Sequence, residues 1–169
     1  MATDSLEVWM RGPLAGIAPL LQPVAHALLQ VQEEVHAVTK DFRDKDLWTK
    51  PGGVASVGFH LQHMAGVLDR LFTYARGSML TSEQLGALKR EGEASTLTVS
   101  DLLSAFDHQV ERAIDQLKST PETVLLEPRG IGRKQIPTNV LGLLFHAAEH
   151  TQRHNGQLLV TVKWMREGS

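Results

Sequence analysis

The chain has 169 residues, a formal net charge of −2 and no cysteine; 42% of its residues are hydrophobic and 21% are charged. This composition is ordinary for a globular protein, and the length predicts one domain over residues 1–169 with room for a full core. The small net charge gives no electrostatic basis for a nucleic-acid partner, and the missing cysteines exclude disulfides, thiolate metal ligands and a cysteine nucleophile.

The N-terminal region predicts neither a secretory signal nor a membrane span. Residues 1–7 lack the basic start of a signal peptide. The apolar run at residues 14–29 is interrupted by polar side chains and two prolines, so it is too polar and too short to cross a bilayer. Together with the absence of cysteine, these features predict a cytoplasmic protein with no membrane partner.

The first two long helices are predicted from apolar residues at helical spacing. The first covers residues 19–39, with Pro23 in its first turn, where a missing N–H costs little. A loop rich in glycine and proline leads to the second helix, residues 57–76. Ser56 is the predicted N-cap of this second helix, and Gly77 is its predicted C-terminal stop.

A short helix and a third long helix follow. The short helix covers residues 81–90, with Thr81 or Ser82 as its cap. Residues 98–101, Thr-Val-Ser-Asp, form a capping sequence for the third long helix, which is predicted to end near Ser119.

The fourth long helix follows a glycine- and proline-containing segment. Residues 121–137 are predicted to form a loop with space for a short hairpin. Thr138 is the predicted cap of the last helix, residues 139–165. Four long amphipathic helices without a convincing strand pattern predict an all-α four-helix bundle, with a short extra helix and a long loop before the last helix.

The last helix carries three histidines at four-residue intervals: His146, His150 and His154. Residues four apart share one helix face. Because the flanking sequence is strongly apolar, this helix should be largely buried, and a bound metal is the leading explanation for the stripe. His146 and His154 are about 12 Å apart along the axis, whereas metal–nitrogen bonds are about 2.0–2.1 Å long. One ion can therefore bind either pair, and His150 belongs to both.

The second helix supplies candidates for a third ligand, His60 and His63. A single His-x-x-x-His pair more often has no metal, and His150 lacks the following glutamate that marks the zinc proteases. Two overlapping pairs on one helix and an independent pair on another favour a metal site. Three neutral imidazoles would leave a coordination position for water or substrate, as in catalytic sites.

Two segments resemble signatures of the DinB/YfiT-like superfamily. Residues 56–64, Ser-Val-Gly-Phe-His-Leu-Gln-His-Met, followed by Leu-Asp-Arg at 68–70, are similar to its helix-two signature. Residues 148–157, Ala-Glu-His-Thr-Gln-Arg-His-Asn-Gly-Gln, are similar to its helix-four signature. The order of helices also matches, so the resemblance covers about residues 15–162.

The resemblance implies a four-helix bundle that binds a divalent metal, often nickel or zinc, through three histidines. Carried over position by position, the ligands are His63, His150 and His154, and His146 stays outside the coordination shell. Relatives of this kind are commonly dimers, which implies a homodimer. Some are transferases or isomerases that use bacillithiol, mycothiol or glutathione.

A divalent ion held by neutral imidazoles would lower the pKa of a coordinated water or thiol. Because the chain has no cysteine, the thiol would come from outside. The predicted function is therefore a metal-dependent transferase that uses a low-molecular-weight thiol on a small-molecule substrate. The alternatives are a metal-dependent hydrolase, for which no general base is evident, and a non-catalytic metal-binding stress-response protein.

Polar residues around the predicted ligands have two interpretations. A thiol carrying carboxylates would need cationic anchors, and Arg70 and Arg153 are close to ligands in sequence; ion pairs with Asp69 and Glu149 are an equal alternative. Asn155 or Gln157, or equally a backbone or water oxygen, would accept a hydrogen bond from a ligating imidazole. Four residues are predicted to line a pocket or bind substrate: His60, Arg70, His146 and Arg153.

Overall fold

The computed structural model describes residues 6–167, and these residues form five α-helices, one β-hairpin and several short 3₁₀ turns. The four long helices confirm the predicted all-α bundle, and α3 is the short extra helix. The elements are α1 (Gln22–Thr39), α2 (Val57–Ala75), α3 (Ser82–Arg90), α4 (Val99–Ser119), β1 (Pro128–Ile131), β2 (Ile136–Asn139) and α5 (Val140–Glu167).

The four long helices pack around one apolar core. α2 packs against α4 and α5, and α1 packs against the same two helices, so α1 and α2 occupy opposite corners of the bundle. Each long helix contributes side chains with no exposed surface: Leu28, Leu61, Phe106 and Leu144. Within residues 6–167, no helix has both the length and the apolar content needed to cross a membrane.

Side-chain caps set the starts of α2, α3 and α4 where the sequence predicts them. Ser56 Oγ accepts from the Phe59 amide at 3.2 Å. Thr81 and Thr98 each form a capping box with the side chain three residues later. At the other end of α2, Gly77 has φ of +78°, the left-handed conformation that ends helices, and its amide donates to Tyr74.

The start of the last helix differs from the prediction. Thr138 and Asn139 belong to strand β2, and Asn139 Oδ1 accepts from the Gly142 amide at 2.7 Å. Asn139 therefore caps α5, and the predicted Thr138 cap is wrong. The strand pairs antiparallel with β1, from Pro128 opposite Asn139 to Ile131 opposite Ile136. Strand pairing holds Thr138 extended, so the helix begins after Asn139.

The hairpin is tied to the end of α2. Arg129 Nε donates to the Ala75 carbonyl at 2.9 Å, and Ile131 packs on the main core. The long connection before α5 is therefore an ordered structure on the bundle surface, next to the C-terminal half of α2.

Candidate metal centre

The packing of α2 on α5 brings together the three histidines that the family resemblance selects. One ring nitrogen from each of His63, His150 and His154 lies within 4.8 Å of the other two. The ring centroid of His63 is 4.3 Å from that of His154, and the centroids of His150 and His154 are 4.7 Å apart. All three side chains are half-buried. We call this group the histidine corner; its binding of a metal stays a prediction.

The spacing of two nitrogens in the histidine corner fits a shared ion. With bonds of about 2.0–2.1 Å, two ligand nitrogens lie about 2.9 Å apart at a right angle and about 3.3 Å apart at a tetrahedral angle. His63 Nε2 and His150 Nε2 are hydrogen-bonded to each other at 2.9 Å, the separation that two ligands of one ion at a right angle would have. Imidazole nitrogens suit nickel and zinc, so the donor set also fits the metals implied by the resemblance.

Glu91, immediately after α3, orients His63. Its Oε2 accepts from His63 Nδ1 at 2.7 Å, which leaves His63 Nε2 for the histidine corner. Its Oε1 accepts from Arg70 Nη1, and both side chains of this ion pair are about 10% exposed or less. A carboxylate behind a ligating imidazole fixes the ring and raises its basicity. Glu91 is not among the site residues predicted from the sequence.

The environment keeps Glu91 ionised. Burial alone would raise the pKa of its carboxyl. The hydrogen bonds from His63 and Arg70, together with their charges, outweigh burial and hold the pKa below its usual value.

Phe59 stacks on the ring face of His63, with ring centroids 5.1 Å apart and planes 13° apart. His63 is thus held both by a carboxylate and by an aromatic face.

His60 is the outer partner of His154. It is 2% exposed, and its Nδ1 lies 3.1 Å from His154 Nδ1, so one ring donates and the other accepts. This leaves His154 Nε2 for the histidine corner. Burial, with nearby imidazole charge, lowers the pKa of both His60 and His154 to about 4. Both rings are therefore neutral near pH 7, and a neutral ring is the form that a metal ligand requires.

His150 has no such partner in the described part of the chain. Burial is the main cause that lowers its pKa, and its Nδ1 is buried without a hydrogen bond. Neither side-chain acceptor considered from the sequence contacts His150. Asn155 donates to Glu34 of the neighbouring helix α1 and its Oδ1 is buried without a hydrogen bond, and Gln157 is exposed.

The remaining predicted site residues are placed around the histidine corner. His146 is exposed, lies outside the three-histidine group, and has its Nδ1 3.4 Å from Glu149 Oε2. Arg153 pairs with Glu149, as one interpretation of the sequence predicted. Arg70 pairs with Glu91, so the predicted alternative of a pair with Asp69 is wrong.

Metal sites in four-helix bundles are built from side chains on facing helices. The fold and the histidine corner therefore place this chain among the helical bundle proteins that have a candidate metal centre. The family model of the DinB superfamily matches residues 27–158. The chain therefore belongs to the DinB superfamily, as the two sequence signatures indicated. No curated protein matches the chain.

Proposed function

We propose that this protein is a metal-dependent transferase that activates an external low-molecular-weight thiol for attack on a small-molecule substrate. The observation that carries the proposal is the convergence of His63, His150 and His154 at one corner of the bundle, beside an open cavity. Nickel or zinc is the proposed ion. DinB superfamily membership and the histidine corner fit a metal-binding protein.

The chain's own residues have distinct roles in this proposal. His63, His150 and His154 supply neutral ring nitrogens, and when bound, a divalent ion there would lower the pKa of a coordinated thiol. Glu91 holds His63 in the tautomer with the proton on Nδ1. His60 holds His154 in position from the buried side. His63 and His154 are thus oriented by other side chains before the ion arrives.

In the reaction, the thiol sulfur forms a bond to an electrophilic carbon of the substrate as the bond to the leaving group breaks. The thiol proton passes to solvent or to the departing group. The chain contains no cysteine that could replace the external thiol. The step therefore requires two small molecules, a thiol and an electrophile.

The carboxylates nearest the histidine corner argue against a hydrolase that uses a carboxylate general base. Glu91 has one oxygen on His63 and the other on Arg70. Glu149 faces Arg153 and His146 on the exposed side of α5. Both carboxylates are engaged, so neither is placed to take a proton from water.

Metal analysis and turnover assays test the proposal. Freshly purified protein is expected to contain about one nickel or zinc per chain, and turnover of an electrophilic halogenated substrate should require both metal and added thiol. Turnover that persists without thiol would favour the hydrolase. Metal binding without any turnover would favour a non-catalytic metal-binding protein.

A pair of alanine variants tests the assignment of ligands. His154→Ala should lose the metal because it removes a member of the histidine corner. His146→Ala should keep the metal, because His146 lies one turn before His150 on the same helix and outside the histidine corner. Loss of metal in His146→Ala but not in His154→Ala would refute this assignment.

The resemblance also leads us to propose a homodimer, and the absence of cysteine leads us to propose a cytoplasmic location. Sedimentation equilibrium of the purified protein tests the dimer, and a monomer at micromolar concentration would refute it.

A further inference from the structure

A cavity of about 280 Å³ lies directly beside the histidine corner. Helix α5 contributes His146 and His150 to its lining, so the cavity includes a predicted metal ligand. Most of the remaining lining is aliphatic and comes from α2, the link before α3, α3 itself and the hairpin: Val67, Leu71, Leu80, Leu88 and Ile131. We call this space the α3 cavity.

Two of the polar side chains that line the α3 cavity, Arg70 and His146, already have carboxylate neighbours. Arg70 lines the cavity, but its guanidinium donates to the Glu91 carboxylate. His146 lies beside Glu149, with 3.4 Å between Nδ1 and Oε2. A ligand carboxylate would compete with these existing partners, whereas an apolar group would gain contact with five aliphatic side chains. The chemistry of the lining therefore favours an apolar ligand group.

We propose that the α3 cavity binds the apolar part of the electrophilic substrate and directs its reacting carbon toward the histidine corner. At about 30 Å³ of liquid volume per water molecule, this volume corresponds to about nine waters. A single aromatic ring or a branched alkyl chain is of this size. The substrate class is thus a small electrophile with one compact apolar group. This inference rests on the proposed function for the reacting end of the substrate alone.

The first experiment uses metal-free protein and therefore does not depend on the proposed function. Benzyl alcohol serves as the probe, and amide shifts are followed by ¹H–¹⁵N NMR. Shifts are expected at Leu80, Leu88 and Ile131, with weaker binding by at least about tenfold in Leu88→Asp, because a carboxylate in an apolar site is poorly tolerated. Leu85→Asp is the matched control. Leu85 is 38% exposed and Leu88 42% exposed on the same helix, but Leu85 does not line the cavity.

The second experiment uses protein loaded with cobalt(II), whose visible absorption reports ligands added to the ion. Phenylmethanethiol is used here as a probe of both places at once, because its sulfur would bind the ion while its ring occupies the α3 cavity in place of the substrate's apolar group. It should bind at least about tenfold more tightly than ethanethiol, as expected for added apolar surface in an apolar pocket. Leu88→Asp should abolish this advantage, and Leu85→Asp should keep it.

The two experiments separate the two proposals. Amide shifts confined to surfaces away from Leu80, Leu88 and Ile131 would overturn the cavity proposal, and so would equal affinity for the two thiols. If neither thiol changes the cobalt spectrum, the proposed function fails, and the benzyl alcohol titration still decides whether the cavity binds apolar groups.

Discussion

Replacing Glu91 by glutamine separates the charge of this residue from its shape. The carboxylate accepts from two donors, His63 Nδ1 at 2.7 Å and Arg70 Nη1. The amide of glutamine offers one acceptor oxygen, so one of the two donors would face an NH₂ group. Loss of a hydrogen bond to a charged group costs about 1.5–3 kcal/mol of unfolding free energy, and loss of an orienting carboxylate typically lowers metal affinity about 10- to 100-fold.

Two measurements on Glu91→Gln distinguish these effects. Urea unfolding of metal-free protein gives the stability change, and competition with a chromophoric chelator gives the affinity for nickel or zinc. Glu149→Gln is the control, because Glu149 also lies beside the histidines and pairs with an arginine, but on the exposed face of α5. The control should change metal affinity little. An affinity of Glu91→Gln within twofold of wild type would refute the role of Glu91 in orienting His63.

Three further predictions concern the metal-free and metal-loaded bundle. Metal-free protein should lose stability as the pH falls from about 6.5 to about 4, because unfolded His60 binds a proton near pH 6.5 and folded His60 only near pH 4. At 1.36 kcal/mol per pKa unit, the loss of unfolding free energy is about 3 kcal/mol. Urea unfolding measured across this pH range should show a shallower pH dependence for His60→Gln than for wild type. Gly66→Ala should weaken metal binding, because the added Cβ would overlap Glu91 Oε1 and lie 2.5 Å from Arg70 Nη1. Gly156→Ala on α5 is the matched control, since no atom lies within 4 Å of its added Cβ. This control should raise the melting temperature, because alanine adds up to about 1 kcal/mol of helix propensity. Zinc or nickel at 100 times its Kd should add about 2.7 kcal/mol to the unfolding free energy, and calorimetry of His150→Ala should show no such gain.

Features encoded within a few residues could be predicted from the sequence. The caps at Ser56 and Thr98 depend on one side chain and an amide three residues later, so the predicted starts of α2 and α4 agree with the structure. Thr138 was misassigned because pairing with β1, nine residues earlier in the chain, decides its conformation. The strand ends at Asn139, and the Asn139 side chain caps the helix instead.

The candidate site divides in the same way. Helical spacing limited the stripe on α5 to pairs that include His150, and the resemblance named His63 and His154, but spacing alone could not choose between the pairs. Glu91 escaped because it comes from a different element, 28 residues from His63 along the chain. One signal was present. Gly66 follows His63 by three residues and so lies on the same face of α2. A glycine inside a helix indicates the close approach of another element.

Helix α3 links the histidine corner to the α3 cavity. None of its residues is buried, and it is tied to α2 by Gln84 and, just beyond its end, by Glu91. The same helix supplies Leu88 to the α3 cavity. Occupancy of the histidine corner should therefore steady α3, and a ligand that contacts Leu88 should by reciprocity raise the affinity for the ion. Ion and substrate would then bind with positive cooperativity through one short, weakly buried helix.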